Sequence, residues 1–463
     1  MAWRVLVVAL MAAGLALPDT AACALGDRLE ATVRALSGFG NRMTGSNSFN
    51  GSAAWLKDEL QRRGVPGVYV HTFPTVVPMD RGFALEGGGV RLKLYGMWPN
   101  LVRTPTLPPE GIVAPLCLWS GKLEDLDNRT VEGRIVVAPF GADRWLDLFQ
   151  LGAEAVIFLA PESPVQSASA SFLDVPADLP RFYADSDVVP RLVDLARKSQ
   201  QVRLTGRMNL APVIGTTLIG VIPGHSDLQP AALVAPFDAV SPVPALSPGA
   251  GQSCSAAALL ELASELVRRP PGRTVLLIFT SGHYQNMSGM RHLVKDLQDP
   301  DADFAFGLAD LLSPGESGAN PAGVAQSVVF FSLDLSARSR LLSVIPARVP
   351  YRRRSLAPPF TDALFSRIRA FEDEHRGGRR VVGNGLRRDG DRLGLSGVPI
   401  TLPIAAAPAA LAGFPAVSLP QRTTVDGIWI HRWIFLEMWT WAPWRSRLSS
   451  SLKCSRICLE IPT

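Results

Sequence analysis

The sequence predicts an α/β protein built on a doubly wound, mostly parallel sheet, and three observations support this fold class. Residues 216–294 alternate strand-like apolar runs with helix-like segments, as successive βα units do. Two of the runs, 231–235 and 275–279, are short, wholly apolar and bounded by turn residues, which is typical of buried parallel strands. Between them, residues 255–267 place apolar side chains at the spacing of one helix face.

The ends of these two strands predict where a functional site lies. In doubly wound sheets, ligands bind beyond the carboxyl ends of the strands. Those ends fall at residues 236–238 and 280–284. A glycine-rich turn at 247–251 follows the first of them, and Ser253 then stands at the predicted helix start, where a serine side chain commonly caps the first turn. We therefore expect the functional residues at this edge of the sheet.

The bulk composition is that of a folded protein without a nucleic-acid partner. The chain has 463 residues, enough for two domains, and its 47% hydrophobic and 19% charged content excludes a disordered chain. The formal net charge of +5 is mild for this length. The tightest basic cluster, at residues 348–354, includes Pro350 and Tyr351 and is interpreted as a solvated loop.

The N-terminus predicts a secretory signal peptide over residues 1–24. Arg4 supplies the positive charge, residues 5–17 the short apolar segment, and residues 22–24 a small-residue cleavage site. We therefore expect the mature protein to be secreted or extracytoplasmic, in a periplasm or a secretory-pathway lumen. Four cysteines remain after cleavage, and they allow three disulfide connectivities between which the sequence does not choose: Cys117, Cys254, Cys454 and Cys458.

The mature chain divides into an α/β domain interrupted by a β-rich module. Residues 25–73 hold two amphipathic helices, at 27–36 and 52–63, and one strand; they form the first part of the domain. Residues 74–210 change to short strands and turns with few helices, which predicts an insertion. Residues 211–426 resume the α/β pattern and form the main part of the domain.

Individual elements follow from the same patterns. In the inserted module the predicted strands are 90–95, 111–119, 134–138 and 155–159, and the predicted helices are 144–152 and 189–198. Later strands are predicted at 328–334, 399–402 and 415–419, with a helix within 358–374. Gly64 is predicted to end the second helix of the domain, because glycine readily adopts the left-handed conformation found there.

The last segment, residues 427–463, differs from the rest of the chain. Its first part, 427–444, contains five tryptophans. Three interpretations stay open: contact with a membrane interface, which tryptophan favours, a surface helix covering the sheet, or an altered end of the gene. His431, Arg432 and Glu437 argue against a transmembrane span.

Several motifs resemble the secreted zinc aminopeptidase family with an inserted protease-associated domain. Residues 42–46, followed by a helix, are similar to the beginning of that family, and residues 131–137 and 151–157 are similar to its protease-associated domain. The central stretch matches in order and spacing, and the likeness covers roughly residues 27–426. The resemblance implies a zinc-peptidase-like α/β domain, of the phosphorylase/hydrolase-like kind, carrying that insertion.

The resemblance also implies a two-zinc site, and here most of its positions hold other residues. Zinc requires imidazole, thiolate or carboxylate ligands, with a base beside the water that it activates. The first histidine ligand falls at Pro236 and the bridging aspartate at Gln252. The general base falls at His283 and the adjacent glutamate ligand at Tyr284. The last histidine has no counterpart in residues 418–422.

Two carboxylates of the family pattern are kept. Asp334 stands at a ligand position, and Asp238 stands where an aspartate supports the first histidine without binding metal itself. One carboxylate binds zinc too weakly to define a catalytic site. The pattern resembles the nicalin- and nicastrin-type members of the family, which have lost the peptidase site and act as subunits of complexes.

The sequence thus predicts a protein of peptidase fold that has lost its zinc site, needs no cofactor, and binds a peptide or protein partner in the old cleft. The alternative is an active metal-dependent aminopeptidase with an atypical zinc site formed from Asp238, His283, Asp334 and His225. For His225 a solvent-exposed turn is the simpler interpretation, and for His283 a hydrogen-bonded structural role.

A third hypothesis is a serine or cysteine hydrolase. Ser281 or Cys254 would be its nucleophile, with His283 as base and Asp238 orienting the imidazole. No spacing in the sequence demands this arrangement, and Cys254 is more simply explained as a small apolar residue of a helix.

Overall fold

The computed structural model describes most of the chain from residue 19 onward. The described residues are 19–99, 103–126, 128–140, 142, 144–161, 178–226, 229–247, 249–299, 302, 328–335, 341–346, 366–370, 373, 382–384 and 405–422. The predicted tail, the basic cluster at 348–354, the predicted strand at 399–402, Cys454 and Cys458 lie outside them. Most of the predicted signal peptide also lies outside, and of the helix expected within 358–374 the stretch 366–370 is described, as helix.

Helices and strands alternate along the chain. The helices are α1 (Asp19–Gly38), α2 (Asn47–Arg62), α3 (Asn128–Val131), α4 (Asp147–Gln150), α5 (Val189–Arg197), α6 (Cys254–Arg268), α7 (Ser288–Gln298) and α8 (Ala407–Leu411). The strands are β1 (Gly67–Gly87), β2 (Val90–Gly96), β3 (Ile112–Leu118), β4 (Ile135–Pro139), β5 (Ala155–Leu159), β6 (Arg181–Ala184), β7 (Gln201–Ile222), β8 (Ala231–Pro236), β9 (Val275–Thr280), β10 (Val329–Asp334), β11 (Leu341–Pro346), β12 (Val382–Asn384) and β13 (Ala416–Arg422).

The larger sheet is mostly parallel. Strands β9, β8, β10 and β13 lie side by side in that order and run in one direction. β7 pairs antiparallel with β9 at one side, and β11 pairs antiparallel with β13 at the other. Every residue of β8 and β9 is buried, as their continuous apolar sequences predicted. The predicted α/β fold with a mostly parallel sheet is confirmed.

Helices cover both faces of this sheet. On one face α2 and α6 pack against alternate strand residues, and this core includes Phe49, Leu56, Leu259, Leu233 and Leu277. On the other face α7 and α8 pack against the intervening residues, and this core includes Met290, Leu293, Ala409, Val234 and Ile278. Because strand side chains alternate between the two faces, each strand supplies both cores, which is the arrangement of a doubly wound sheet.

A second group of strands closes into a ring. The order β1–β2–β6–β5–β4–β3–β7 returns to its start because β7 also pairs with β1. The ring has its own apolar core, which includes Phe83, Leu94, Ile157 and Leu204. A further cluster, around Trp145, lies among its β4, β5 and β3–β4 segments.

Strands β1 and β7 join the two groups of strands. They pair antiparallel from Gly67 opposite Val221 to Glu86 opposite Arg203. The boundaries predicted at residues 74 and 210 fall inside these continuous strands. The composition of the sequence changes there, but the strands themselves are not interrupted. The division of the chain at those positions stays a prediction.

Local signals explain the limits of α2. The Ser46 side chain accepts a hydrogen bond from the Phe49 amide at 3.1 Å and caps the first turn. At the other end Gly64 adopts a φ of +79°, and its amide donates to the Gln61 carbonyl at 2.9 Å. The Val65 amide donates to Leu60 at 3.1 Å. The prediction that Gly64 ends this helix is confirmed.

Helix α1 begins earlier than the 27–36 segment predicted from periodicity. It starts at Asp19, inside the predicted signal peptide, and buries Leu25, Leu29 and Val33 in one cluster with Cys254 and Ala257 of α6. Removal of residues 1–24 stays a prediction. Within the described part of the chain, no helix is both long enough and apolar enough to cross a membrane.

Candidate functional site

The predicted site lies where β8 and β9 end. Pro236, the last residue of β8, pairs in parallel with Thr280, the last residue of β9. The Phe237 amide then donates to the Thr280 carbonyl at 3.0 Å, which extends the pairing by one step. Residues 238 and 283 follow directly, so two distant parts of the sequence meet at this edge, as the fold class predicted.

Asp238 lies at the centre of this edge and is 1% exposed. Its Oδ2 accepts hydrogen bonds from the Thr44 hydroxyl at 2.9 Å and from the His283 backbone amide at 3.1 Å. The Thr44 hydroxyl in turn accepts from the Gly282 amide at 2.9 Å. Burial raises the pKa of Asp238, while His283 and the bond from Thr44 oppose that shift. Asp238 therefore ties the loop before α2 to the end of β9.

Arg42 is a fully buried cation beside Asp238. Its guanidinium donates to the Phe237 carbonyl at 2.7 Å, to the Gly249 carbonyl at 2.8 Å and to the Ser253 hydroxyl at 2.7 Å. Burial lowers the pKa of Arg42 to about 10, and the charge of Asp238 opposes the shift, so the group is charged at neutral pH. The sequence marked Arg42 as part of a motif and gave it no role.

Ser253 is the residue directly before α6, as predicted for an N-cap, but its side chain does not cap the helix. Ser253 belongs to a 3₁₀ turn, Gly251–Ser253, and its side chain makes no capping bond. Its hydroxyl instead accepts from Arg42 and donates to the Gly249 carbonyl at 3.0 Å. A serine before an apolar periodic segment signals a cap from local spacing alone, and that spacing contains no information about Arg42, 211 residues away.

Gln252, at the position of the bridging aspartate, is bonded to the backbone of one residue. Its Oε1 accepts from the Val240 amide at 3.0 Å, and its Nε2 donates to the Val240 carbonyl at 3.1 Å. A carboxylate could accept the first bond and could not donate the second. The side chain therefore fixes the segment after β8 to the turn before α6.

His283 and Tyr284 lie in the tight loop that connects β9 to α7. Their rings are perpendicular, with centroids 4.9 Å apart. His283 is 4% exposed, and among the described residues its buried Nδ1 has no hydrogen-bond partner. Desolvation raises the pKa of Tyr284 well above 10, and the charges of Asp238 and Asp334 add to it. The Tyr284 phenol is therefore neutral at physiological pH, and it lies near both carboxylates.

The same loop holds its backbone in a sparsely populated conformation. Asn286 and Met287 both have left-handed φ values, of +56° and +54°. The Gly289 amide donates back to the Ser281 carbonyl at 3.2 Å, and a Cβ at Gly289 would lie 2.3 Å from that oxygen. Two non-glycine residues in this region indicate a conformation imposed by the surroundings, and such strain is common at binding sites.

Asp334 ends β10, beside β13, and its side chain is occupied. The Ser332 hydroxyl donates to Asp334 Oδ2 at 2.7 Å, and the Ser418 hydroxyl donates to the same oxygen. Ser418 belongs to the 418–422 stretch in which the last histidine ligand has no counterpart. Asp334 is thus bound by two hydroxyl donors of its own sheet.

His225 does not join the site. It lies in an exposed turn before the start of β8, whereas the site lies beyond the end of that strand. β8 has six residues and spans about 20 Å. His225 therefore lies at the opposite edge of the sheet and cannot share a ligand with Asp238.

The two candidate nucleophiles are also engaged elsewhere. Ser281 is fully buried; its hydroxyl donates to the Thr216 carbonyl at 2.6 Å and accepts from the Thr216 amide at 3.2 Å. Cys254 is a buried thiol, not part of a disulfide, whose Sγ lies 3.9 Å from the Ala250 carbonyl, within the core under α1. These bonds go to backbone groups of Thr216 and Ala250, whereas a nucleophile paired with His283 requires a bond to its imidazole.

Across the described ranges, no group of three or more His, Cys, Asp or Glu side chains is placed to hold a metal ion. Of the residues at the ligand positions, Asp334 is the only one of these four types. What the edge does offer is a neutral phenol packed against a buried imidazole and influenced by the charges of two carboxylates.

Comparison with known proteins establishes the fold. The sequence matches no protein-family model and no curated protein. The structure is similar to that of BSAP, a zinc aminopeptidase from Bacillus subtilis, with a TM-score of 0.53 and 16% identity over 92% of each chain. A peptidase M28 precursor from Shewanella amazonensis gives a TM-score of 0.50 and 14% identity over 87% of each chain.

At these identities the likeness defines the fold alone. The chain has the α/β fold of zinc aminopeptidases and is peptidase-like in architecture. The resemblance inferred from its motifs is confirmed at that level.

Proposed function

We propose that this protein is a peptidase-like protein that has lost its zinc site and binds a peptide or protein partner at the edge where β8 and β9 end. The main support is the hydrogen bonding of Gln252, which stands at the position of the bridging ligand. Both ends of its amide are bonded to the Val240 backbone. A group held in this way is part of the scaffold and is not free to bridge two metal ions.

The other ligand positions support the same conclusion. A zinc pair needs several carboxylate or imidazole donors that converge on one place. Pro236 has no donor atom, and Tyr284 holds a neutral phenol at physiological pH because its pKa is raised well above 10. Asp334 is the one family ligand kept, and two serine hydroxyls already donate to its Oδ2. The residues present do not fit a pair of zinc ions.

His283 and Arg42 both favour the charged form of Asp238, His283 more strongly than Arg42. An unpaired buried carboxylate is costly, and a cation nearby reduces that cost. The guanidinium of Arg42 interacts with Asp238 and is held in place by three hydrogen bonds. The carboxylate therefore has its counter-charge within the protein.

Unpartnered polar atoms at this edge support a role in binding. Among the described residues, Asp238 Oδ1, His283 Nδ1 and Gln285 Oε1 are buried without a hydrogen-bond partner. Buried polar atoms are nearly always bonded, so such a group in a native fold needs a partner. An ordered water supplies such partners in many folds, and a peptide whose amides or carbonyls displace that water supplies the same donors and acceptors without a cofactor.

Regions of the chain outside the cleft also have proposed roles. We propose that residues 74–210 form an inserted protease-associated domain that contributes to partner binding, and that the protein acts outside the cytoplasm, as its N-terminus predicts. Nucleic acid is not proposed as a partner. Contact of residues 427–463 with a membrane interface is the remaining proposal from the sequence.

The second candidate function is a metal-dependent aminopeptidase with an atypical site. It is favoured by one observation: the His283 amide donates to Asp238, and the charges of Asp238 and Asp334 both raise the pKa of Tyr284, at the edge where the family resemblance implies the metal site. This candidate predicts at least one tightly held zinc ion.

Zinc content and peptide hydrolysis of the purified full-length protein distinguish the two candidates. We expect zinc far below one ion per chain by elemental mass spectrometry and no turnover of aminoacyl chromogenic substrates. Zinc near one equivalent, together with turnover that EDTA abolishes, overturns our proposal in favour of the aminopeptidase.

Binding is tested directly with a library of short unmodified peptides, by fluorescence anisotropy. We expect saturable binding to a subset of them, weakened about tenfold or more in His283→Ala, since a lost hydrogen bond to a buried group costs roughly 1–3 kcal/mol. Arg191→Ala, an exposed arginine of α5 remote from the edge, is the matched control and should bind like the wild type. If no peptide binds, or if both variants bind equally, the binding role is wrong.

A restoration variant tests whether the old site can be rebuilt. It combines Pro236→His, Gln252→Asp, His283→Glu and Tyr284→Glu, which returns the family residues at four positions. Zinc uptake by this variant, with none by the wild type, shows that the substitutions themselves account for the loss.

A further inference from the structure

A cavity lies on the outer face of the ring of strands, away from the cleft. It has a volume of about 360 Å³ and opens between β1, β2 and β7. Its lining consists of three cations and small or apolar residues: Arg81, Gly82, Phe83, Ala84, Arg91, Lys93 and Thr205. This volume is at the lower end of the range for small-molecule sites, about 300–1,000 Å³.

Strand register explains why the cations converge. Lys93 of β2 stands opposite Ala84 of β1, and Ala84 stands opposite Thr205 of β7. The short side chains of Ala84 and Thr205 form a floor, and the long side chains beside them form the rim. The opposite face of the same strands carries apolar residues such as Leu85 and Leu204, which belong to the core of the ring.

A bulge in β1 adds a further cation to the rim. Pairing with β7 shifts between Asp80, opposite Met208, and Phe83, opposite Gly206. Arg81 and Gly82 therefore stand opposite Arg207 alone, and the extra residue redirects the chain, as bulges do. Arg81 donates from Nε to the Asn209 side-chain oxygen at 2.7 Å, a neutral partner that leaves its charge uncompensated.

The charge of this face is strongly positive. Besides the three lining cations, Arg203 and Arg207 lie on either side of Thr205 at outward-facing positions of β7. In the described residues of this face the one ion pair is that of Arg91 with Glu86. Asp80 is bonded to the Gly82 and Gly96 amides at 2.7 and 2.9 Å, and its charge offsets part of that of Lys93. Lys93 packs its ammonium 4.7 Å from the centre of the Tyr95 ring.

We propose that this cavity, named here the β1–β2–β7 basic cavity, binds a phosphate group, either free or carried by a lipid headgroup. Arginine and lysine donors around a cavity with a neutral floor match a compact oxyanion, for which they make strong charge-assisted bonds. The binding is electrostatic, so raising the salt concentration weakens it. This site belongs to residues 74–210 and does not depend on any activity of the cleft.

The test uses the full-length protein and two probes. Inorganic phosphate is titrated calorimetrically at low ionic strength, and sedimentation measures binding to phosphatidylcholine vesicles with and without phosphatidic acid. We expect saturable binding of one or both phosphate probes, weakened at least about tenfold in the double variant Arg81→Ala/Lys93→Ala, because each lost charge-assisted bond is worth roughly tenfold or more. Binding of free phosphate assigns the site to a soluble ligand, and binding to phosphatidic acid vesicles alone assigns it to a lipid headgroup.

Two further variants separate a site from a general charge effect. Thr205→Glu places a negative charge on the floor and should abolish binding. Arg191→Ala/Arg197→Ala removes two exposed arginines of α5, whose buried residues belong to the core behind the sheet, and should leave binding within about twofold. The proposal is overturned if neither probe binds, or if the α5 variant loses as much affinity as the double variant. All four side chains removed are exposed, so the thermal unfolding midpoint should stay unchanged and exclude misfolding.

Discussion

Gln252 and Val240 are joined by two hydrogen bonds, in which the side-chain amide of one residue pairs with the backbone of the other. The Val240 amide donates to Gln252 Oε1 at 3.0 Å, and Gln252 Nε2 donates to the Val240 carbonyl at 3.1 Å. This pairing closes the segment between β8 and α6 upon itself. It places a neutral side chain, bonded at both ends of its amide, at the position where the family resemblance implies a metal-bridging aspartate.

Replacing this amide with a carboxylate should destabilise the fold. Gln252→Glu keeps the size of the side chain and the acceptor, and turns the donor to the Val240 carbonyl into a second acceptor. We expect a loss of about 1–3 kcal/mol in the free energy of unfolding, because a donor is lost and two oxygens then face each other. Urea denaturation measures it. Gln201→Glu, at an exposed position, is the control and should change stability by less than about 0.5 kcal/mol.

Arg42 should be among the residues that the fold tolerates losing least. Its guanidinium serves the Phe237 carbonyl, the Gly249 carbonyl and the Ser253 hydroxyl, and it lies beside the buried Asp238. Arg42→Ala leaves two buried carbonyls and a buried hydroxyl without their donor, which should cost about 3–5 kcal/mol in total. Chemical denaturation checks this, with Arg191→Ala as the exposed control. A loss below 1 kcal/mol, relative to that control, contradicts the role given to Arg42.

Gly249 should be intolerant of any side chain for two reasons that can be separated. Its φ is +59°, and a Cβ there would lie 2.3 Å from Ala239 Cβ and 2.7 Å from Gln252 Oε1. Gly133 has a similar φ of +68° with open space around it. Gly133→Ala should therefore show the backbone strain alone, about 1–2 kcal/mol. Gly249→Ala should lose about 1–3 kcal/mol more, from overpacking. Equal losses in thermal unfolding contradict the close approach.

The pH dependence of stability should reveal the buried Asp238. Burial raises its pKa in the folded protein above 3.8, the ordinary value, so the folded state holds this proton to higher pH than the unfolded state does. The stabilisation that protonated Asp238 gives the folded state is therefore fully present below pH 3.8. It decreases as the pH rises through the raised pKa of the folded state. Asp238→Asn removes this titration, so the variant should gain stability relative to the wild type over that range.

Asp194 provides a control of opposite sign. A hydrogen bond from Lys198 lowers the pKa of this exposed carboxylate, so its contribution is present above the ordinary value and is lost as the pH falls through the folded-state pKa. Urea unfolding of Asp238→Asn and Asp194→Asn over a pH series should give difference curves with opposite slopes. A flat curve for Asp238→Asn shows that its carboxyl titrates equally in both states.

Much of the fold could be predicted because its signals are local. The wholly apolar runs at 231–235 and 275–279 are strands, and the periodic segment after Ser253 is a helix. The carboxyl ends of β8 and β9 lie side by side, as the fold class predicted. The limits of α1 were less predictable, because Leu25 counts as a core residue only through its contact with Cys254 and Ala257 of a distant helix. The length of β1 was not predictable for a similar reason. The strand continues past residue 73, where the first part of the domain was predicted to end, because it pairs with β7 as far as Glu86.

The sequence by itself determined the fold class, the edge of the sheet at which the site lies, and the identity of the residues at each expected ligand position. Local patterns of a few residues contain the first two, and the resemblance to the zinc aminopeptidase family implies the third. The tertiary structure alone decided what those residues touch: Gln252 holds Val240, Asp334 receives two serines, Ser253 binds Arg42, and Ser281 is bonded to Thr216. Arg42 and Phe237 are 195 residues apart, and no local pattern specifies a bond over that separation. The physical reason is that a polar side chain bonds whatever partner folding brings beside it once water is excluded.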